Sequence, residues 1–294
     1  IKNLEFTGAV FTNITHDHLD YHNSFEDYLK AKKGFFDDLH SHTFALANID
    51  DKNGEFMLQS SQASKSYYSL NNTGDYNTKV LNNSLGKLKI EIDGQEIQTK
   101  LSGAFNAYNI VAVYATALLL DQNKNEVIEK IKEFVPISGR FETFDLGQEI
   151  VGIVDYAHTP DALLHVLESI ADMSYDNKKI ITVVGCGGDR DKGKRPIMAS
   201  IAERMSNYVI LTSDNPRSED PMSILEDMKN GIEPFDPQKV HIIPDRAQAI
   251  ATTKDLASPG DIILIAGKGH EDYQEINGEK KYFSDKEELL EVFK

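Results

Sequence analysis

Apolar and polar positions divide the chain into two regimes. In the second half, short buried runs alternate with segments of helical period. Ile150–Tyr156, Lys179–Gly185, Tyr208–Ser213, His241–Ile243 and Asp261–Gly267 predict strands. Between them, Asp161–Met173, Pro196–Met205, Met222 to about Asn230 and Arg246–Leu256 predict helices. The first of these carries Leu163, Val166, Leu167 and Ile170 on one face. Such alternation implies an α/β fold: a doubly wound, Rossmann-like parallel sheet with helices on both sides. Tyr273–Phe283 then carries an Asn-Gly hairpin turn, and Asp285–Phe293 a capped helix.

The first half is less regular. Gly8–Asn13 and Thr43–Asn48 are buried-strand patterns, with a helix over Phe25–Leu39 between them. Residues 66–101 alternate and contain Asn-Asn, Gly-Asp and Asp-Gly turns, which predicts a few antiparallel strands. Gly103–Asp121 is apolar nearly all round and reads as a buried helix, followed by another at about Asn125–Phe134. The Pro136–Gly139 stretch then divides the chain into domains of residues 1–137 and 138–294. A length of 294 residues suits two domains.

Acidic residues outnumber basic ones 47 to 31, for a net charge of −16. A duplex nucleic-acid binder needs cationic surface, so that class is excluded, and an anionic substrate would need local basic groups. The single cysteine, Cys186, suits a reducing compartment. No apolar run is long enough to span a membrane, and no secretory leader pattern is present. A cytoplasmic monomer without membrane insertion is expected. The chain starts at Ile1 without a preceding Met, so an N-terminally truncated piece is expected.

Ligands bind open parallel sheets at the carboxyl ends of the strands. Four strands here end in polar or glycine chemistry: Asp155-Tyr-Ala-His-Thr-Pro-Asp161, Gly185-Cys-Gly-Gly-Asp-Arg-Asp191, Ser213-Asp-Asn-Pro-Arg217 and Gly267-Lys-Gly-His-Glu271. The glycines of the second loop suggest a phosphate cradle only loosely, since the Gly-x-x-x-x-Gly-Lys-Ser/Thr spacing is nowhere in the chain. They also suit a tight turn. Arg190 fits a carboxylate or zwitterion, or a local ion pair. Pro216 fixes Asn215 and Arg217, and the Arg217 fork suits a carboxylate. Its bland alternative is an ion pair with Glu219 or Asp220. Gly267 and Glu271 offer close backbone approach and a carboxylate for an ammonium, or simply a glycine-rich turn.

The first half adds three candidates. Thr15-His-Asp-His-Leu-Asp-Tyr-His22 sets three histidines and two aspartates among seven positions, either a divalent-metal site or a His-rich turn capped by Asp20 or Asn23. Lys32 and Lys33, read alone, are a solvated helix face. Asn106 and Asn109 place two amides on one face of an apolar helix, where a purine edge could satisfy them. Helix capping by Asn106 plus one buried structural Asn is the alternative.

In this order, and with Ala31-Lys32 and Gly139-Arg-Phe-Glu142 added, these motifs resemble the Mur ligase family of cell-wall enzymes over essentially the whole chain. The Asp-Asn-Pro-Arg form resembles the branch that adds meso-diaminopimelate. The resemblance implies an ATP- and Mg2+-dependent amide ligase in peptidoglycan precursor synthesis, acting on UDP-MurNAc-L-Ala-D-Glu. It implies a central ATPase domain, of which residues 1–137 are the remainder, followed by a Rossmann-like domain. His18 then looks like a Mg2+ ligand, and Lys32 like a lysine that holds metal as a carbamate. Asn106, Asn109, Arg140, Asp155, Tyr156 and His158 match ATP-side residues. Arg190, Asn215, Arg217, Gly267 and Glu271 match the diaminopimelate pocket. The family's P-loop normally lies before the point where Ile1 stands, so this piece alone is expected to be inactive. The alternatives weighed are a folylpolyglutamate-synthetase-like ligase, a metal-dependent hydrolase and a non-catalytic amino-acid-binding module.

Overall fold

The computed structural model describes residues 4–15, 24–173 and 178–294. The chain divides into two compact units, parting between Val135 and Pro136.

The first unit contains β1 (Gly8–Phe11), α1 (Phe25–Asp37), β2 (Phe44–Asn48), α2 (Gly54–Leu58), β3 (Ser64–Ser69), β4 (Tyr76–Ser84), β5 (Lys87–Ile92), β6 (Gln95–Thr99), α3 (Ala104–Leu119) and α4 (Lys124–Lys132). Its six strands form one sheet in sequence order. Ser24 caps α1 by accepting from the Asp27 amide, with Glu26 and Asp27 complementing the helix dipole. The apolar α3 lies against the sheet through Ala107, Val111, Tyr114 and Ala115.

The expectation of antiparallel strands over 66–101 holds for β4, β5 and β6. It fails for β3, which pairs parallel with both β2 and β4. The short α2, not foreseen from sequence, is the crossover that returns the chain in the same direction. Asp50 organises the turn after β3, accepting from the Ser69 hydroxyl and the amides of Leu70, Asn71 and Asn72.

The second unit contains β7 (Glu142–Asp145), β8 (Val151–Asp155), α5 (Pro160–Met173), β9 (Ile180–Val184), α6 (Lys194–Met205), β10 (Tyr208–Leu211), α7 (Pro221–Lys229), β11 (Val240–Ile242), α8 (Arg246–Leu256), β12 (Ile262–Ala266), the hairpin β13 (Tyr273–Ile276) and β14 (Glu279–Tyr282), and α9 (Asp285–Val292). The main sheet runs β11-β10-β9-β12-β8-β7. Five strands are parallel, as the alternating pattern requires, and β7 adds an antiparallel edge. β7 escaped the sequence reading because Glu-Thr-Phe-Asp offers no apolar run.

Connections through α5, α6 and α7 lead toward β11, and α8 leads back to β12 in mid-sheet. Right-handed crossovers therefore place α8 on the opposite face from α5–α7. There Ala249, Ile250 and Leu289 cover Val154, Ile181, Val183, Ile263 and Ile265. The strand order reverses between β9 and β12, so the crevice for a ligand opens at their carboxyl ends.

Candidate functional site

A buried ion pair fixes the floor of that crevice. Arg246, at the start of α8, donates to both carboxylate oxygens of Asp285 at 2.7 Å. It also donates to the carbonyls of Ser213, just beyond β10, and Ala266, the end of β12. Above this floor the four loops meet. Asp155, at the end of β8, accepts from the amides of Phe141 and Ala157, both at 2.7 Å. Burial is the larger influence on this carboxyl and pushes it up, against the pull of the two amides. Gly267 donates its amide to the Asp155 carbonyl.

The Arg140 guanidinium stacks over the Tyr156 ring at 4.3 Å, and Tyr156 meets His158 edge-on at 4.6 Å. Gly139 brings this strap against the β12 loop: its φ is +65°, and a Cβ there would fall 2.0 Å from the His270 amide nitrogen. The Gly267–Glu271 loop and the Asn215 loop are joined directly. Asn215 donates from Nδ2 to Glu271 Oε2 at 2.9 Å, and its Oδ1 accepts from Lys268 Nζ and the Glu275 amide.

Arg217 takes a left-handed backbone, φ +52°. The hairpin holds it there, since the Arg217 amide donates to Glu275 O and its carbonyl accepts from Asn277. The side chain donates to Gly188 O at 2.8 Å, and Nε lies 3.7 Å from Glu275. The alternative partners are committed elsewhere: Glu219 pairs with Arg195, and Asp220 caps α7. Arg190 is exposed and donates only to its neighbour's carbonyl among the described residues. Gly187 lies between the two arginines: a Cβ on it would approach Arg217 Nη1 at 2.9 Å and Arg190 Cγ at 3.8 Å. Thus Arg190 and Arg217 form a cationic edge, while Glu271 and Asp214 form an acidic one.

In the first unit, His18 and its cluster over 16–22 lie outside the described residues. Lys32 is exposed, over the Tyr28 ring, and lines a hollow of about 840 Å3 with Phe6, Thr12, Asn13 and Phe35. Lys33 is not solvated: it is buried and ion-paired to Asp37 at 2.5 Å. Asn106 donates to the Ser102 carbonyl and accepts from Asn109. Asn109 is exposed and Asn106 half-buried.

Residues 1–117 match the Mur ligase middle domain, and residues 139–269 the Mur ligase glutamate ligase domain. The chain belongs to the Mur ligase family. It is 51% identical over its full length to a UDP-N-acetylmuramoyl-L-alanyl-D-glutamate–2,6-diaminopimelate ligase of Parabacteroides distasonis. It is also 51% identical, over 99% of its length, to the enzyme of that name from Cytophaga hutchinsonii. A solved structure of a ligase with this name superimposes with a TM-score of 0.61 at 37% identity, covering 97% of the chain and 60% of its own. The chain spans about 60% of the length of the curated relatives it matches.

Mur ligases are ATP-dependent amide ligases and generally use Mg2+. The residues present can be tested against both. Arg140 has no hydrogen bond or ion pair from its side chain among the described residues, so its N–H fork is open to phosphate oxygens. Asp155, by contrast, already uses both oxygens on backbone amides and fits a loop-ordering role. No cluster of three metal-ligating side chains occurs among the described residues. Lys32 has no carboxylate partner among them. The sequence reading missed Lys268, Arg195 and Glu275, and offered Glu219 only as a partner for Arg217, whereas it pairs with Arg195. All four lie in or beside the quoted motifs, and only their burial or their pairing across loops reveals them.

Proposed function

We propose that this protein acts as an ATP-dependent ligase joining meso-diaminopimelate to the D-glutamyl side-chain carboxylate of UDP-MurNAc-L-Ala-D-Glu, in the cytoplasm. The observation that carries the reading is the rim with opposite charges at its two edges. Diaminopimelate is lysine with a carboxylate on its distal carbon. Arg217, with Arg190 beside it, suits that carboxylate, and Glu271 with Asn215 suits the ammonium beside it. Gly267 lets the amino acid approach the backbone.

A carboxylate is inert to amines until one oxygen becomes a leaving group, which ATP supplies as a phosphoryl group with Mg2+ neutralising charge. Arg140 would hold phosphate oxygens, with Tyr156 and His158 fixing its position. Asn106 and Asn109 would face the adenine. Lys32 as a carbamate, and His18, would hold metal. Arg217 and Glu271 would orient the amino acid so that its reacting amine faces the activated carbonyl.

The test is ADP release by the complete gene product, with each substrate omitted in turn. Release should require both the UDP-dipeptide and diaminopimelate. Lys32→Ala should lose most activity and recover part of it with added short carboxylic acids. Near-normal turnover by Lys32→Ala would contradict the role given to that lysine.

A further inference from the structure

Lys268 is wholly buried, between the two glycines of the β12 loop. Its ammonium donates to Asn215 Oδ1 at 3.1 Å and Glu271 Oε2 at 3.3 Å, and lies 3.6 Å from Asp214 Oδ1. Asp214 Oδ1 is itself buried without a hydrogen-bond partner among the described residues. Removing an ammonium from water is costly unless acceptors surround it, and an apolar side chain would fill this space without that cost. The three groups around Lys268 all belong to the motifs that line the crevice.

We infer that Lys268 is a positioning residue that presents Asn215 and Glu271 to the incoming amino acid and sets the charge of its pocket. This rests on the ligase reading above. The Asn215 amide is held by two donors on Oδ1, Lys268 Nζ and the Glu275 amide, which turns Nδ2 toward Glu271. Glu271 receives both its hydrogen bonds on Oε2. Oε1 accepts none among the described residues and is left for a substrate ammonium. Asp214 and Glu271 bring two negative charges, and Lys268 offsets one. The remaining single charge matches one ammonium group. Without Lys268, the carboxylates repel, Asn215 loses one of its two anchors, and the penalty falls on amino-acid binding.

The experiment is steady-state kinetics of the complete gene product carrying Lys268→Met, Lys268→Gln, Glu271→Gln or Lys268→Met with Glu271→Gln. Lys268→Met should raise KM for diaminopimelate at least tenfold and leave KM for ATP and the UDP-dipeptide within twofold. In the Glu271→Gln background, the same change should cost less than threefold more, because its main partner is already neutral. Lys268→Gln keeps a donor but no charge and should still raise the diaminopimelate KM. An unchanged diaminopimelate KM in either folded variant overturns the inference. So do equal rises in all three KM values, or failure of both variants to fold, since those mark a core residue. Wild type inert with diaminopimelate overturns the ligase reading and this inference together. Wild type active with unaffected Lys268 variants overturns this inference alone.

Discussion

Lys32 and Lys33 are neighbours in α1 with opposite surroundings. Consecutive helical residues point about 100° apart, so a Lys-Lys pair at a helix edge sends one amine outward and one under the next layer. Lys33 holds its ammonium over the Phe56 ring and pairs with Asp37. Lys33→Ala should therefore lower stability by about 1–2 kcal/mol, while Lys32→Ala stays within about 0.5 kcal/mol. Thermal melts of the two variants check this, and equal effects would contradict it. The pair looks uniform in sequence because spacing does not say which side is covered. Arg217 shows the same limit. Nearby Glu219 and Asp220 are its obvious partners along the chain, yet its contacts come from Gly188 and Glu275, 29 and 58 positions away. The four rim motifs of the second unit were legible, because each follows a strand that the hydrophobic pattern marks. Their partners were not.

Among elements, β9 and β12 were readable because both faces of each are buried, leaving unbroken apolar runs. β7 and α2 were not, at four and five residues being too short to show a period. The loops depend on backbone contacts that no side-chain pattern reports. Gly139→Ala would combine a left-handed backbone with a collision at His270, so it should cost more than about 1 kcal/mol. A chemical denaturation curve unmoved by Gly139→Ala would refute the close approach of these loops. The pair joining α8 to α9 gives a sharper case. Arg246→Met leaves Asp285 buried and unpaired and should cost about 3–5 kcal/mol. Adding Asp285→Leu should recover most of that loss, because an apolar pair has no charge to desolvate. A double variant as unstable as the single one would contradict this.

Across the whole molecule, both units carry carboxylates that resist protonation. Hydrogen bonds from Arg195 and the Asp189 amide pull Glu219 down to about 2. Burial alone would push Asp50 up, but the amides of Leu70 and Asn71, with Ser69 and Tyr108, hold it at about 2. Folded values below the unfolded ones mean that this stability is present above about pH 5 and is lost as pH falls toward 2. Denaturation midpoints measured from pH 7 to pH 3 should decline through that window, and a flat profile would contradict the two carboxylate networks. The central claim concerns amino-acid choice. Sites built to pair a polar substrate group can reject an analogue lacking it by roughly 10⁴–10⁵. Arg217 keeps Gly188 and Glu275 as partial partners, so a smaller ratio is expected here. The deciding measurement is kcat/KM of the complete gene product and its Arg217→Ala variant with meso-diaminopimelate and with L-lysine. Wild type should prefer diaminopimelate by at least about a hundredfold, and the variant should narrow that ratio mainly by losing diaminopimelate activity. Equal use of lysine by wild type, or a preference left intact in Arg217→Ala, would contradict the account.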